Sequence, residues 1–269
     1  VSLIQPNVTR DEKDAFGARL RILDRLRALT AQAGTGRLLI YPEAAWPGVL
    51  DDKDRFGLFA DFVRSVARPS LMGAVERLSG RYYNSALMVD RDATITGRYP
   101  KVRLVPFGEF VPMRSWFSFI DALNEVGDMS PGTGPVLFAY NGALIAPVIC
   151  FEDVFPEMVA AAVRAGATVL VNMTDDSWFG GHPQAWQHLL IARTRALENG
   201  RSLIRAANTG VSCVILADGT VRSTVSDGGK NVFVAGVADA QVPVNGDLTP
   251  YTRFPFVFPL AGVIVLIAC

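Results

Sequence analysis

Ala146-Pro147-Val148-Ile149-Cys150-Phe151-Glu152-Asp153 is an apolar run that stops at a cysteine and then meets two carboxylates. With the helix-like Phe155–Ala165 behind it, the run predicts a strand that delivers a thiol to a strand-to-helix turn. A nucleophile suits that place, because N–H groups at a helix start and the positive end of the helix dipole favour thiolate over thiol. A buried structural cysteine suits it too, since free Cys is among the most buried residue types. The choice turns on whether other strand ends supply a base and an oxyanion partner.

Working outward, residues 1–75 read β-α-β-α-β. Val1–Ile4 is a short strand, and Asp11–Ala33 carries Ile22, Leu23, Leu26 and Leu29 at helical spacing and ends at Gly34. Arg37–Tyr41 is a buried strand running into Pro42-Glu43, followed by a helix over Lys53–Ala67 and a strand over Ser70–Val75. Tyr82–Val89 and Thr94–Tyr99 form a hairpin about Asp90–Ala93, its second arm running into Pro100-Lys101. Leu104–Gly134 is irregular and rich in aromatics (Phe107, Phe110, Trp116, Phe117, Phe119), as functional loops often are. Val136–Tyr140 and Leu144–Ile149 return to the cysteine. Beyond it come a strand at Thr168–Asn172, a polar turn at Thr174–Gly181, a helix over Pro183–Glu198, and strands at Ser202–Ala206, Ser212–Leu216 and Val232–Ala238. Alternating strands and helices predict an α/β fold, one domain whose sheets are covered by helices.

Half of the 269 residues are apolar, and 26 basic residues balance 26 acidic ones. There is ample material for a core and no electrostatic footprint of nucleic-acid binding. Cys150, Cys213 and Cys269 are far apart with no CxxC, which argues against a zinc site or a disulfide framework. Cys213 reads as core, and His182 and His188, without HExxH spacing, read as surface or helix-face residues. No metal or cofactor is expected; P-loop, dinucleotide and G-x-S-x-G signatures are absent. The chain opens at Val1 directly on a strand, without a signal-type run, and so reads as part of something longer. Phe254–Cys269 is uncharged and almost wholly apolar. A spanning helix needs roughly 20 such residues, so this stretch reads as the start of a membrane helix with Arg253 as its interfacial anchor, or else as a core strand.

Three strand ends each present one reactive type. Glu43 follows a buried strand, where a partly desolvated carboxylate suits a general base. Lys101, placed likewise, suits an oxyanion stabiliser. Cys150 supplies the thiol. Tyr41-Pro42-Glu43, Tyr99-Pro100-Lys101 and Ile149-Cys150-Phe151-Glu152 together resemble the Glu-Lys-Cys signature of the nitrilase, or carbon–nitrogen hydrolase, superfamily. Residues 99–112, Asp176–Gly180, Arg195–Asn199 and Thr249–Tyr251 further resemble its apolipoprotein N-acyltransferase branch.

The resemblance implies a four-layer α-β-β-α sandwich over residues 1–248, with residues 249–269 the truncated start of a C-terminal transmembrane helix. It implies Cys150 as nucleophile, Glu43 as general base and Lys101 as oxyanion stabiliser, with Glu109 and Glu152 as supporting carboxylates or structural ion-pair members. Phe151 stands where the family commonly carries Tyr, which keeps an aromatic face and removes a hydroxyl. Trp178 matches an aromatic near the site, or is a core tryptophan. The implied reaction moves an acyl chain from a phospholipid, commonly phosphatidylethanolamine, through a Cys150 thioester to the N-terminal amine of a diacylated lipoprotein. The implied location is the bacterial inner membrane, with the catalytic domain facing the periplasm. The alternatives are a soluble amidase or nitrilase acting on a small amide, and a lipid- or lipoprotein-binding module without activity.

Overall fold

The computed structural model describes residues 1–51, 57–116, 127–180, 183–254 and 257. Within them the elements in chain order are β1 (Ser2–Gln5), α1 (Arg10–Asp14), α2 (Ala18–Thr30), β2 (Leu39–Ile40), β3 (Val49–Leu50), α3 (Leu58–Val66), β4 (Ser70–Leu78), β5 (Arg81–Val89) and β6 (Ile95–Pro100). The second half adds β7 (Phe138–Tyr140), β8 (Ala143–Ile149), α4 (Pro156–Arg164), β9 (Val169–Thr174), α5 (Gln184–Asn199), β10 (Ser202–Ala207), β11 (Cys213–Ile215), β12 (Val221–Arg222), β13 (Gly236–Asp239) and α6 (Pro250–Arg253).

Among the described residues the strands form two sheets. The first runs β13-β1-β2-β4-β5-β6 with β3 beside β4, and the second β12-β11-β10-β9-β8-β7. Strand alternation decides what lies between them. Leu3, Ile40, Leu71, Ala86 and Met88 of the first sheet share one apolar cluster with Ile145, Ile149, Val171, Met173 and Ile204 of the second. Their neighbours point outward: Ile4, Leu39, Met72 and Leu87 pack with Ile22, Leu23 and Leu26 of α2 and Phe59, Phe62 and Val63 of α3. On the far side Ala146, Val148, Leu170 and Leu203 pack with Val159 and Val163 of α4 and Leu189, Ala192 and Ala196 of α5. Each central strand is apolar on both faces because both are covered, which gives four layers in the order helix, sheet, sheet, helix.

Two expected elements are corrected. The helix expected over Asp11–Ala33 is two helices, because Ala15 is extended (ψ 143°) and Gly17 takes φ +69°. The strand expected over Val232–Ala238 is confined to Gly236–Asp239, because Phe233 takes φ +54° and its N–H turns to the Thr209 carbonyl at 2.7 Å. The helix start at Lys53, Phe117, Phe119, His182 and nearly all of the apolar stretch after Phe254 lie outside the described residues.

Candidate active site

The three strand ends that carry Glu43, Lys101 and Cys150 come together. Glu43 comes just after β2, Lys101 just after β6 and Cys150 just after β8. β2 is parallel to β4, and β6 returns to the same direction through the antiparallel pairs β4–β5 and β5–β6, so Glu43 and Lys101 leave the first sheet at one end. A glycine makes room for the first of them. A Cβ on Gly73 would stand 2.3 Å from the Pro42 carbonyl oxygen and 2.7 Å from the Glu43 Cα, so the backbone that presents Glu43 lies directly against β4.

Glu43 and Lys101 are 8% and 1% exposed, and burial at that level demands partners. Lys101 Nζ donates to Glu43 Oε1 at 3.2 Å and to Glu109 Oε1 at 3.0 Å. The Asn84 side-chain amide donates to the same two oxygens, each at 2.8 Å. The remaining oxygens are held by backbone: Glu43 Oε2 accepts from the Asp175 N–H at 2.9 Å, and Glu109 Oε2 from the Val105 N–H at 2.8 Å. Burial pushes the Lys101 ammonium toward the neutral form, but the Glu43 and Glu109 carboxylates push harder the other way and keep it cationic, raised above the ordinary lysine range.

Cys150 opens a 3₁₀ turn, Cys150–Val154, and takes φ +52°, a left-handed conformation that L residues seldom adopt and that costs about 1–3 kcal/mol. This is a sharp strand-to-helix elbow. The Asn172 amide donates to the Cys150 carbonyl at 3.0 Å. The resting thiol differs from the expectation of a thiolate. Burial first, and the Glu43 carboxylate second, raise it well above the ordinary thiol range, outweighing the Lys101 ammonium. The site at rest therefore holds a neutral thiol beside the Lys101 ammonium and its carboxylates.

The supporting carboxylates divide. Glu109 is part of the charge cluster. Glu152 is fully buried and accepts from the Ile149, Val102 and Arg103 N–H groups at 2.7, 2.6 and 3.0 Å and from the Tyr99 hydroxyl at 2.9 Å. It thus clamps the turn after Lys101 to the elbow of Cys150. Burial raises its carboxyl above the usual range against the pull of those donors. Trp178 is 63% exposed, with the Arg10 guanidinium 4.5 Å from its ring centre, so the core reading of it does not hold. Phe151 is exposed as well, as are Phe107, Met113 and Trp116.

Sequence reading missed Asn84, Asp175 and a group placed under the elbow. His188, expected on a surface or helix face, is buried, with Nδ1 2.9 Å from Asp176 Oδ1 and Nε2 3.1 Å from Asp153 Oδ1. Helical spacing puts a residue on a face but does not say what that face meets; here α5 crosses the turns at 150–154 and 176–179. Asn172 alone had a signal, a polar residue inside Val-Leu-Val-Asn-Met-Thr. No group of His, Cys, Asp and Glu among the described residues is arranged to hold a metal ion.

A family profile for carbon–nitrogen hydrolases matches residues 4–242. The chain belongs to the carbon–nitrogen hydrolase family. Its two-sheet sandwich is that of solved carbon–nitrogen hydrolase structures. An amidase of the nitrilase superfamily from Nesterenkonia, a cysteine-to-alanine variant, matches with TM-score 0.64 at 19% identity over 97% of this chain and 94% of its own. Saccharomyces cerevisiae Nit3 matches with TM-score 0.62 at 16% identity over 96% and 93%. Curated relatives within the carbon–nitrogen hydrolase family are closer in sequence: the apolipoprotein N-acyltransferases of Geobacter metallireducens, 35% identical over 98% of this chain and 51% of the relative, and of Ralstonia nicotianae, 37% identical over 100% and 52%. The chain spans about half the length of the curated relatives it matches.

Proposed function

We propose that this chain is the catalytic part of an N-acyltransferase that takes an acyl chain from a phospholipid and delivers it to the N-terminal amine of a diacylated lipoprotein. The observation that carries the chemistry is the Glu43–Lys101–Glu109 cluster next to Cys150 on its strained turn. Two carboxylates around one ammonium leave net negative charge where the thiol proton must go. Glu43 takes that proton as sulfur attacks the ester carbonyl, and Lys101, with the Phe151 N–H, stabilises the tetrahedral oxyanion. Collapse expels the lysophospholipid, protonated by Glu43, and leaves a thioester on Cys150. The incoming amine attacks the thioester and gives its proton to Glu43; as the C–S bond breaks Glu43 returns that proton to the sulfur, which releases the amide and restores the thiol.

The names of the relatives support transfer to a lipoprotein over hydrolysis of a small amide. The exposed Phe107, Met113, Trp116, Phe151 and Trp178 on segments bordering the site support a lipid donor, and phosphatidylethanolamine is the proposed one. Within this reading residues 1–248 are the catalytic domain, residues 249–269 begin a transmembrane helix, and the domain faces the periplasm from the inner membrane. Among the described residues no helix is long and apolar enough to cross a membrane.

Intact-mass measurement after incubation with phosphatidylethanolamine, beside a Cys150→Ala control, tests the proposal. An acyl-sized gain, absent in the control and discharged by a diacylated lipopeptide, is the expected result. No adduct from phospholipid together with turnover of small amides would replace it with the hydrolase reading.

A further inference from the structure

The group under the elbow has a function of its own. Asp153, Asp176, Asn172 and Arg205 are at most 1% exposed, and His188 4%. Their contacts close a ring that begins and ends on the nucleophile's turn. The Cys150 carbonyl accepts from Asn172 Nδ2 at 3.0 Å, and Asn172 Oδ1 accepts from Arg205 at 2.6 Å. Arg205 also donates to Asp176 Oδ2 at 2.9 Å, and Asp176 Oδ1 meets His188 Nδ1. His188 Nε2 meets Asp153, three residues past Cys150 in the same 3₁₀ turn. The ring also reaches the base, because the Asp175 N–H beside Asp176 donates to Glu43 Oε2. Thr174, at the end of β9, donates its hydroxyl to Asp176 Oδ1 at 3.2 Å.

Both ring nitrogens of His188 face carboxylate oxygens. A neutral imidazole donates from only one nitrogen, and the lone pair of the other would then face an anion in a buried site. An imidazolium satisfies both contacts, and with Arg205 it balances Asp153 and Asp176 charge for charge. We propose that His188 is a positioning residue: as an imidazolium donating from both nitrogens, it clasps the turn carrying Cys150 to the turn whose backbone holds Glu43, and so keeps nucleophile and base in register. This rests on Cys150 being the nucleophile, not on which acyl donor it uses.

The charged groups facing the ring are Asp153 and Asp176 from the two turns and Arg205 from β10; on its own helix Arg195 contacts the Asp153 carbonyl at 3.4 Å. Tyr251 of α6 interacts with Glu198, Arg195 and the Glu157 carboxylate of α4. Burial and Arg205 lower the His188 pKa, and the two carboxylates more than reverse them, leaving it raised above 6.5. A raised folded-state value means that the clasp is fully formed below the ordinary imidazole range and is lost as pH rises through the raised value.

The chain has two histidines, so ring ¹⁵N spectra of histidine-labelled protein can be assigned with His188→Gln. The expected result at pH 7 is a ring protonated on both nitrogens. The companion measurement is the pH dependence of Cys150 acylation by a p-nitrophenyl ester, read by peptide mass. His188→Gln should acylate about 10²-fold more slowly, as expected for a misplaced reacting group, and should lose the alkaline fall that tracks the imidazolium in the wild type. Circular dichroism establishes whether this variant folds; if it does not, Asp153→Asn, which should lower the ring pKa, replaces it. A neutral tautomer at pH 7, or a folded variant with wild-type rate and pH profile, overturns the clasp. An unlabelled Cys150 in the wild type overturns the nucleophile assignment, and the clasp's role in catalysis with it.

Discussion

Two buried ionic clusters lie on either side of the elbow, and their charges do not match. Under it, Asp153 and Asp176 face two cationic partners, and every charge is matched inside the core. Beside it, Glu43 and Glu109 share Lys101 as their one cationic partner among the described residues, and the surplus carboxylate lies next to the thiol. A matched cluster has no reason to exchange protons and serves as structure; an unmatched one is a poor way to stabilise a fold, because desolvating the extra charge costs more than the single ammonium returns. The surplus is what a base requires.

The sharpest way to break this comparison is to remove one cation from each cluster. Lys101→Met and Arg205→Met should each destabilise by about 3–5 kcal/mol, the cost of stranding buried carboxylates, measured by urea titration. Lys101→Met should in addition slow acylation of folded protein by about 10²–10³-fold through loss of an oxyanion donor. Equal stability of Arg205→Met and wild type would show that the matched cluster is not structural. Next in size is Glu43→Gln, expected to lower the acylation rate by about 10²–10⁴-fold while leaving stability unchanged or higher. Because the Glu43 carboxylate holds the thiol up, the same variant should move the Cys150 titration to lower pH, visible as thiolate absorbance against a Cys150→Ala blank. An unmoved titration would mean that burial alone sets the thiol.

Gly73→Ala tests placement rather than charge. Its methyl would collide with the Pro42 carbonyl, and the displacement of Glu43 should cost about 10²-fold in acylation, with the rate per folded molecule as the readout. Trp178→Ala is expected to have the smallest effect, about 0.5–1 kcal/mol for an exposed cation–π pair by thermal melting, with a raised KM for a lipid donor. A Trp178→Ala protein that loses several kcal/mol would place that ring in the core after all.

The unmatched cluster was legible in the sequence and the matched one was not, for a physical reason. Glu43 and Cys150 each follow an apolar strand, where a polar residue is conspicuous, and Lys101 follows a strand end and a proline just as Glu43 does. Asp153, Asp176, His188 and Arg205 are scattered over two turns, a helix and a strand. The alternation of β10, Ser-Leu-Ile-Arg-Ala-Ala, shows that Arg205 occupies a core strand but not that a histidine from α5 reaches the same spot. The strands around both clusters were readable because doubly covered strands are apolar throughout. Gly17 and Phe233, whose left-handed backbones cut a helix and a strand short, carried no such pattern.

The pairing of β1 with β13 has a consequence for the order in which the molecule is built. Ser2 faces Asp239 across that ladder, and the Ala240 N–H donates to the Val1 carbonyl at 3.0 Å. A ribosome therefore releases β1 long before its outer neighbour exists, and until then one edge of the first sheet stays open to any strand that comes near. Closing so distant a contact is slow. A nascent chain stalled before residue 236 should be held by a chaperone that the finished chain ignores.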